Sequence, residues 1–98
     1  MKILVIADEK TALAFALAGI KTCVVKSGLE VPSILEELSR KEVSLVLITE
    51  LLAEESRETI AHALFDPDRP LILEIPGMSG MRRQRAKFQD RALSLLGR

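Results

Sequence analysis

Ile3-Leu4-Val5-Ile6-Ala7-Asp8-Glu9-Lys10-Thr11 is the stretch whose reading decides the fold. Its first five residues are continuously apolar and largely β-branched, the pattern of a strand buried on both faces rather than one with a wet side. Asp8 follows as a candidate N-cap. From Thr11 onward Ala12, Phe15 and Ala16, with Leu13 and Leu17 alongside, give a helix that Gly19 ends in a left-handed conformation. Strand, helix and glycine make the first half of a βαβ unit, so the next strand should lie parallel to the first.

The same alternation continues outward. Thr22-Cys23-Val24-Val25 reads as a short second strand, and Ser27-Gly28 as a turn. Pro32 suits a first helical position, and Ile34, Leu35 and Leu38 line a short helix expected to end near Arg40-Lys41. Val43 to Ile48 is a second long β-branched run, too apolar for a half-exposed strand, and Thr49 stands where it could cap a helix over residues 50–64. In that helix Ala53, Ile60 and Leu64 fall at helical spacing, with Glu54, Arg57 and Glu58 on the other side. Asp66-Pro67-Asp68-Arg69-Pro70 stops it. Leu71-Ile72-Leu73-Glu74-Ile75 is the fourth strand, and Glu74, turned away from its neighbours' face, suits an edge position. Helical crossovers between parallel strands place helices on both faces, so the class is α/β, a small doubly wound four-stranded parallel sheet followed by a C-terminal helix. Residues 1–76 form the globular domain, and residues 77–98 a hinge at Pro76 to Gly80 with a helix from Met81 to Leu96.

At 98 residues and 48% hydrophobic composition, the chain has room for one core and should fold, which argues against most self-contained enzymes. Fourteen basic residues balance fourteen acidic ones, so no global charge points to nucleic acid or an anionic membrane. The distribution is uneven. Residues 1–75 carry eight Lys/Arg against thirteen Asp/Glu, a net of −5, whereas residues 76–98 carry six against Asp90 alone, a net of +5. The lone Cys23 has no partner for a disulfide or a metal motif, which favours a reducing, cytoplasmic setting. The apolar run before Asp8 is too short for a signal-peptide core or a membrane span, so membrane association is expected to be indirect. Trp and Tyr are absent, which removes the stacking platforms of single-strand nucleic-acid binders.

In open parallel sheets ligands bind beyond the carboxyl ends of the strands, which points here to Asp8, Glu9, Thr49 and Glu50. Such carboxylates could hold Mg²⁺, yet Asp8 serves equally as a cap and Glu9 and Glu50 as first-turn acids. A phosphorylatable receiver needs an acceptor Asp after the third strand, where Ile48-Thr49 stands instead. A small enzyme using Asp8, Glu9 and Glu50 would lack a nucleophile. The first strand-helix turn has no glycine and no GxxxxGK[ST] occurs, so no nucleotide cofactor is expected. His62 reads as a solvated helix residue, and Cys23 as a small buried hydrophobe. No catalytic residue, cofactor site or metal site is assigned. The domain does not itself account for the C-terminal segment, where Met81, Phe88 and Leu95 recur at intervals of seven with Ala92 beside them, flanked by Arg82, Arg83, Arg85, Lys87 and Arg91. That narrow seam suits either a final helix packed on its own sheet or a helix docked on a partner coiled coil with acidic flanks.

Three segments in order resemble the F subunit of the archaeal and bacterial V-type (A-type) ATP synthases. The first is Ile6-Ala7-Asp8-Glu9-Lys10-Thr11 running to Phe15-Ala16-Leu17-Ala18-Gly19-Ile20; the second is Leu47-Ile48-Thr49-Glu50 with Ala53-Glu54 and Arg57 to Ile60. The third is Pro70-Leu71-Ile72-Leu73-Glu74-Ile75-Pro76. The resemblance implies a receiver- or flavodoxin-like domain with a mobile C-terminal helix, acting as a non-catalytic subunit of the central stalk. It further implies binding to the coiled-coil shaft subunit, reach of the C-terminal helix toward the catalytic head, and coupling of ATP hydrolysis or synthesis to proton or sodium transport. Read onto this chain, the partner-binding residues are Met81, Arg82, Arg83, Arg85, Phe88, Arg91, Ala92 and Leu95. Gly77-Met78-Ser79-Gly80 stands where the family carries a longer, more charged linker. The alternative is a receiver-like regulatory interaction module.

Overall fold

A computed structural model describes residues 2–78 of the chain. Strands β1 (Ile3–Ala7), β2 (Lys21–Val24), β3 (Leu45–Thr49) and β4 (Leu71–Ile75) form one sheet in the order β2-β1-β3-β4, with every neighbouring pair parallel. Helix α1 (Glu9–Leu17) joins β1 to β2, and α2 (Val31–Glu37) joins β2 to β3 after a 3₁₀ turn at Gly28–Glu30. Helices α3 (Glu50–Glu55) and α4 (Arg57–Leu64) join β3 to β4. This is the doubly wound α/β arrangement expected from the alternation of buried strands and helices.

The pleat divides the core in two. On one face Leu4, Ile6, Val46 and Ile48 pack with Val31 and Leu35 of α2, Leu52 and Ala53 of α3 and Ile60 of α4. On the other, Val5 and Ala7 pack against Ala12 of α1, with Phe15, Leu47 and Ile75 closing around them. The central strands β1 and β3 therefore tolerate little but aliphatic residues, whereas Glu74 on edge strand β4 faces the α4 side and pairs with Arg57. Both members of that pair are substantially exposed, so it contributes little to stability.

Local chemistry sets the helix ends. Asp8 caps α1 by accepting from the Thr11 amide at 3.3 Å. Gly19, at φ +84°, closes it: its amide donates to the Ala16 carbonyl at 3.0 Å and that of Ile20 to the Phe15 carbonyl at 3.1 Å, the Schellman pairing. Ser27 and Glu30 form a capping box ahead of α2, where Pro32 is the second helical residue.

Four features differ from the sequence expectation. Helix α2 ends at Glu37 rather than near Arg40-Lys41 because the Arg69 guanidinium reaches the last carbonyls, donating to Leu35 at 3.1 Å and to Leu38 at 2.8 Å. Strand β3 begins at Leu45, since Val43 still belongs to a turn in which its amide donates to Ser39. The expected single helix over 50–64 is broken at Ser56, whose hydroxyl donates to the Leu52 carbonyl at 2.7 Å and whose backbone leaves helical geometry. Leu64 accordingly points outward, as do Leu13 and Leu17 of α1.

Two glycines have different roles, which a pair of substitutions separates. A Cβ on Gly28 would collide with Glu55 Cβ and press on the Leu52 carbonyl oxygen at 3.2 Å, whereas one on Gly19 would meet nothing within 4 Å. Gly28→Ala should cost about 1–3 kcal/mol through overpacking and Gly19→Ala about 1–2 kcal/mol through φ alone, both read from urea denaturation. A Gly28→Ala protein as stable as the parent would show that α3 yields freely.

Candidate functional site

The winding reverses between β1 and β3, so the carboxyl ends of these strands form the place where this fold class opens a ligand cleft. Here the chain fills it. Asp8 accepts the Thr11 hydroxyl at 2.6 Å in addition to capping α1, and the Thr11 oxygen in turn accepts the Met78 amide at 3.0 Å. The segment leaving β4 thus crosses the mouth and is tied to the first turn of α1. Gly77 lies buried between them: a Cβ there would stand 3.2 Å from the Thr49 methyl and 3.4 Å from both Asp8 Oδ1 and Thr11 Oγ1.

The residues singled out at this mouth therefore have specific places. Asp8 is a cap and the base of the Thr11 relay. Glu9 is exposed in the first turn of α1, and Glu50 opens α3. Thr49 occupies the N-cap position of α3 without making a side-chain cap bond; at 3% exposure it packs its methyl toward Gly77, which corrects the expectation that it caps the helix. Among the described residues, no three His, Cys, Asp or Glu side chains gather where they could hold a metal ion.

His62 lies exposed on α4, as expected of a solvated helix residue. Cys23 is half-buried against the α2–α4 side of the core, where burial pushes its thiol above the ordinary value of 9.0 and the Glu30 carboxylate adds to the rise. A raised value leaves less thiolate at neutral pH. The partner-binding residues Met81, Arg82, Arg83, Arg85, Phe88, Arg91, Ala92 and Leu95 lie outside the described residues.

Several large apolar side chains are exposed among the described residues, and two groups of them lie on or beside the α1 side of the sheet. On the α1 side of the sheet, α1 packs on β1 and β2, while Leu71 and Leu73 of β4 stay 58% and 55% exposed beside half-buried Leu45 and Leu47. The outward face of α1 exposes Leu13 and Leu17. Sequence reasoning placed Leu13 and Leu17 alongside the apolar spacing of α1 and Leu71 and Leu73 in an edge strand, without marking them as an exposed surface. The available signal was a helix apolar on every side and a fourth strand whose one charge, Glu74, sits on the face opposite Leu71 and Leu73.

The sequence pattern of the ATP synthase (F/14-kDa) subunit family matches residues 3–92. The chain belongs to this family. It is similar to the F subunit of the A-type ATP synthase of Methanococcus vannielii, with 37% identity over 82% of this chain and 78% of that protein. Similarity to the F subunit of Thermococcus kodakarensis extends further, at 33% identity over 95% of this chain and 86% of that one. The F subunit of Thermococcus gammatolerans is 35% identical over 92% and 88%. The chain is thus a subunit of a V-type/A-type rotary ATP synthase, and among its described residues no helix is long and apolar enough to cross a membrane.

The Cys23 environment gives a direct check on this side of the core. At about pH 8 the native thiol should alkylate more slowly than free cysteine, and unfolding in urea should restore the ordinary rate. Equal rates in the native and unfolded chain would contradict the burial.

Proposed function

We propose that the protein is a non-catalytic subunit of the central stalk, turning with the coiled-coil shaft and helping to couple ATP hydrolysis or synthesis to ion transport. The observation that carries this reading is the span of the family match, which runs from β1 through residue 92 and so takes in the seam of Met81 and Phe88 as well as the α/β body. The filled mouth supports it: where a ligand cleft would open, Gly77 and Met78 occupy the space and Thr11 holds them. A subunit whose strand mouth is closed in this way acts through surfaces.

On this reading residues 77–98 form the second functional unit. Met81, Phe88, Ala92 and Leu95 meet the shaft, Arg82, Arg83, Arg85 and Arg91 set partner choice and orientation, and the same segment reaches toward the catalytic head to modulate it. Placement is on the cytoplasmic side, attached to the membrane only through the assembled complex. The exposed Leu13 and Leu17 of α1 offer the body a second contact.

The test is co-expression with the coiled-coil shaft subunit followed by size-exclusion chromatography and titration. Full-length chain should give a 1:1 complex, and Phe88→Ala should weaken it by about tenfold or more, as removal of a buried aromatic implies. The same substitution should lower the unfolding free energy of the isolated protein by no more than about 1 kcal/mol. Unaltered affinity with a markedly less stable protein would instead make Phe88 part of the domain's own core, and absence of any complex would refute the stalk assignment.

A further inference from the structure

All four strands run the same way, so every turn that enters a strand lies at the amino end of the sheet, opposite the mouth closed by Gly77 and Met78. At that end a cleft of about 570 Å³ opens between the start of β1, the passage from α1 into β2 and the chain that follows α2. Half-buried Ile3, Ile20, Leu38 and Val43 line it with apolar surface, and Lys2 and Lys21 are exposed beside them. The register that pairs Leu4 with Lys21 sets both lysines at the amino ends of neighbouring strands. Next to this cleft, the turn after α2 brings Arg40 and Lys41 to a second hollow shared with Pro67 and Asp68. Four of the eight cations in residues 1–75, a stretch of net −5, thus belong to one end of the sheet.

The fold does not account for these cations. Among the described residues, none of the four makes an ion pair or a side-chain hydrogen bond. Nor do they offset a helix dipole from within the helix, since α1 and α2 carry no basic residue in their last turns. The carboxylate that lines the first cleft, Glu42, is engaged by the Ser39 hydroxyl at 3.4 Å. We propose that this end of the sheet docks an acidic segment of another subunit of the ATP synthase, which lays a large aliphatic side chain on Ile3, Ile20, Leu38 and Val43 and sets carboxylates against Lys2 and Lys21, with further acids toward Arg40 and Lys41. Depth favours a polypeptide over a small molecule: a ligand pocket encloses most of its guest, whereas Leu4 alone among the residues lining this cleft is buried. The lining has no aromatic ring on which a nucleic-acid base could stack. A second copy presented through the same end would bring like charges together. The contact involves none of residues 77–98 and does not depend on the central-stalk reading.

The probe is the ATP synthase assembly prepared without this chain and titrated with the full-length protein. Lys2→Glu combined with Lys21→Glu should weaken binding by about tenfold or more at low salt, and the loss should shrink as salt is raised. Both side chains are exposed, so the variant should fold as the parent does. Lys10→Glu combined with Lys26→Glu makes the same change in charge at the carboxyl end of the sheet, again at exposed positions, and should alter binding by about twofold or less. The photoreactive residue p-benzoylphenylalanine, placed at exposed Glu42 in the assembled complex, should join the chain to another subunit at a segment carrying several Asp or Glu beside a Leu, Ile, Val or Met. Equal losses in the two double variants would reduce the effect to overall charge and overturn the site. Unchanged affinity in the first variant overturns it too, as does a parent chain that fails to join the assembly. A crosslink to a segment without carboxylates, a crosslink only to a second copy of this chain, or no crosslink at all has the same consequence.

Discussion

Two-sided burial of β1 and β3 is the constraint on which the structure depends. Val5, Ile6, Val46 and Ile48 are sealed from solvent, and a parallel pair in that position has to be covered above and below. From this follow the all-aliphatic strands, the split of helices between the two faces, and the close approach that only glycine permits at Gly28, where the 3₁₀ turn meets α3. The same constraint explains the reversal of winding between β1 and β3, since adding β2 on one side and β4 on the other is how both central strands acquire neighbours.

The reversal creates a mouth, and the treatment of that mouth separates this protein from ligand-binding members of the same architecture. An open cleft needs small residues that leave room and polar groups aimed at the space. Here the polar groups face inward to one another: the Asp8 carboxylate takes the Thr11 hydroxyl, and the Thr11 oxygen takes the Met78 amide. Each makes a defined bond within the protein, so the mouth is held shut by polar bonds and is not merely crowded. A hydroxyl that donates to a carboxylate and accepts from an amide is an efficient anchor, because Asp8 orients the Thr11 oxygen that takes the Met78 amide.

Much of this was legible in the sequence because it depends on short-range rules. Continuous β-branched runs at Ile3–Ala7 and Leu45–Thr49 identify the central strands; Asp8 and Gly19 mark the ends of α1, and Glu74 gives away the edge. The failures share a cause, which is dependence on a residue distant in sequence. Helix α2 stops where it does because Arg69 reaches across to its carbonyls, and Thr49 turns its methyl toward Gly77 rather than capping α3. Ser56 differs, since its bond to Leu52 is local, but a serine inside an Ala- and Glu-rich run is outvoted by helical composition unless its backbonding is considered. At the mouth, the acidic residues drew attention while the Thr11–Met78 bond, sixty-seven positions apart, could not be inferred from spacing.

The open leucines connect these points to function. An edge strand in a doubly wound sheet needs cover on both faces, and β4 has it from α4 on one side only among the described residues. Leu71 and Leu73 are therefore a deficit in the body that something must offset, and at about 25 cal/mol per Å² of apolar surface even a partial cover is worth kilocalories. In a subunit of a rotary ATP synthase such a surface is a place for a contact, while the body keeps its fold through its two-sided core.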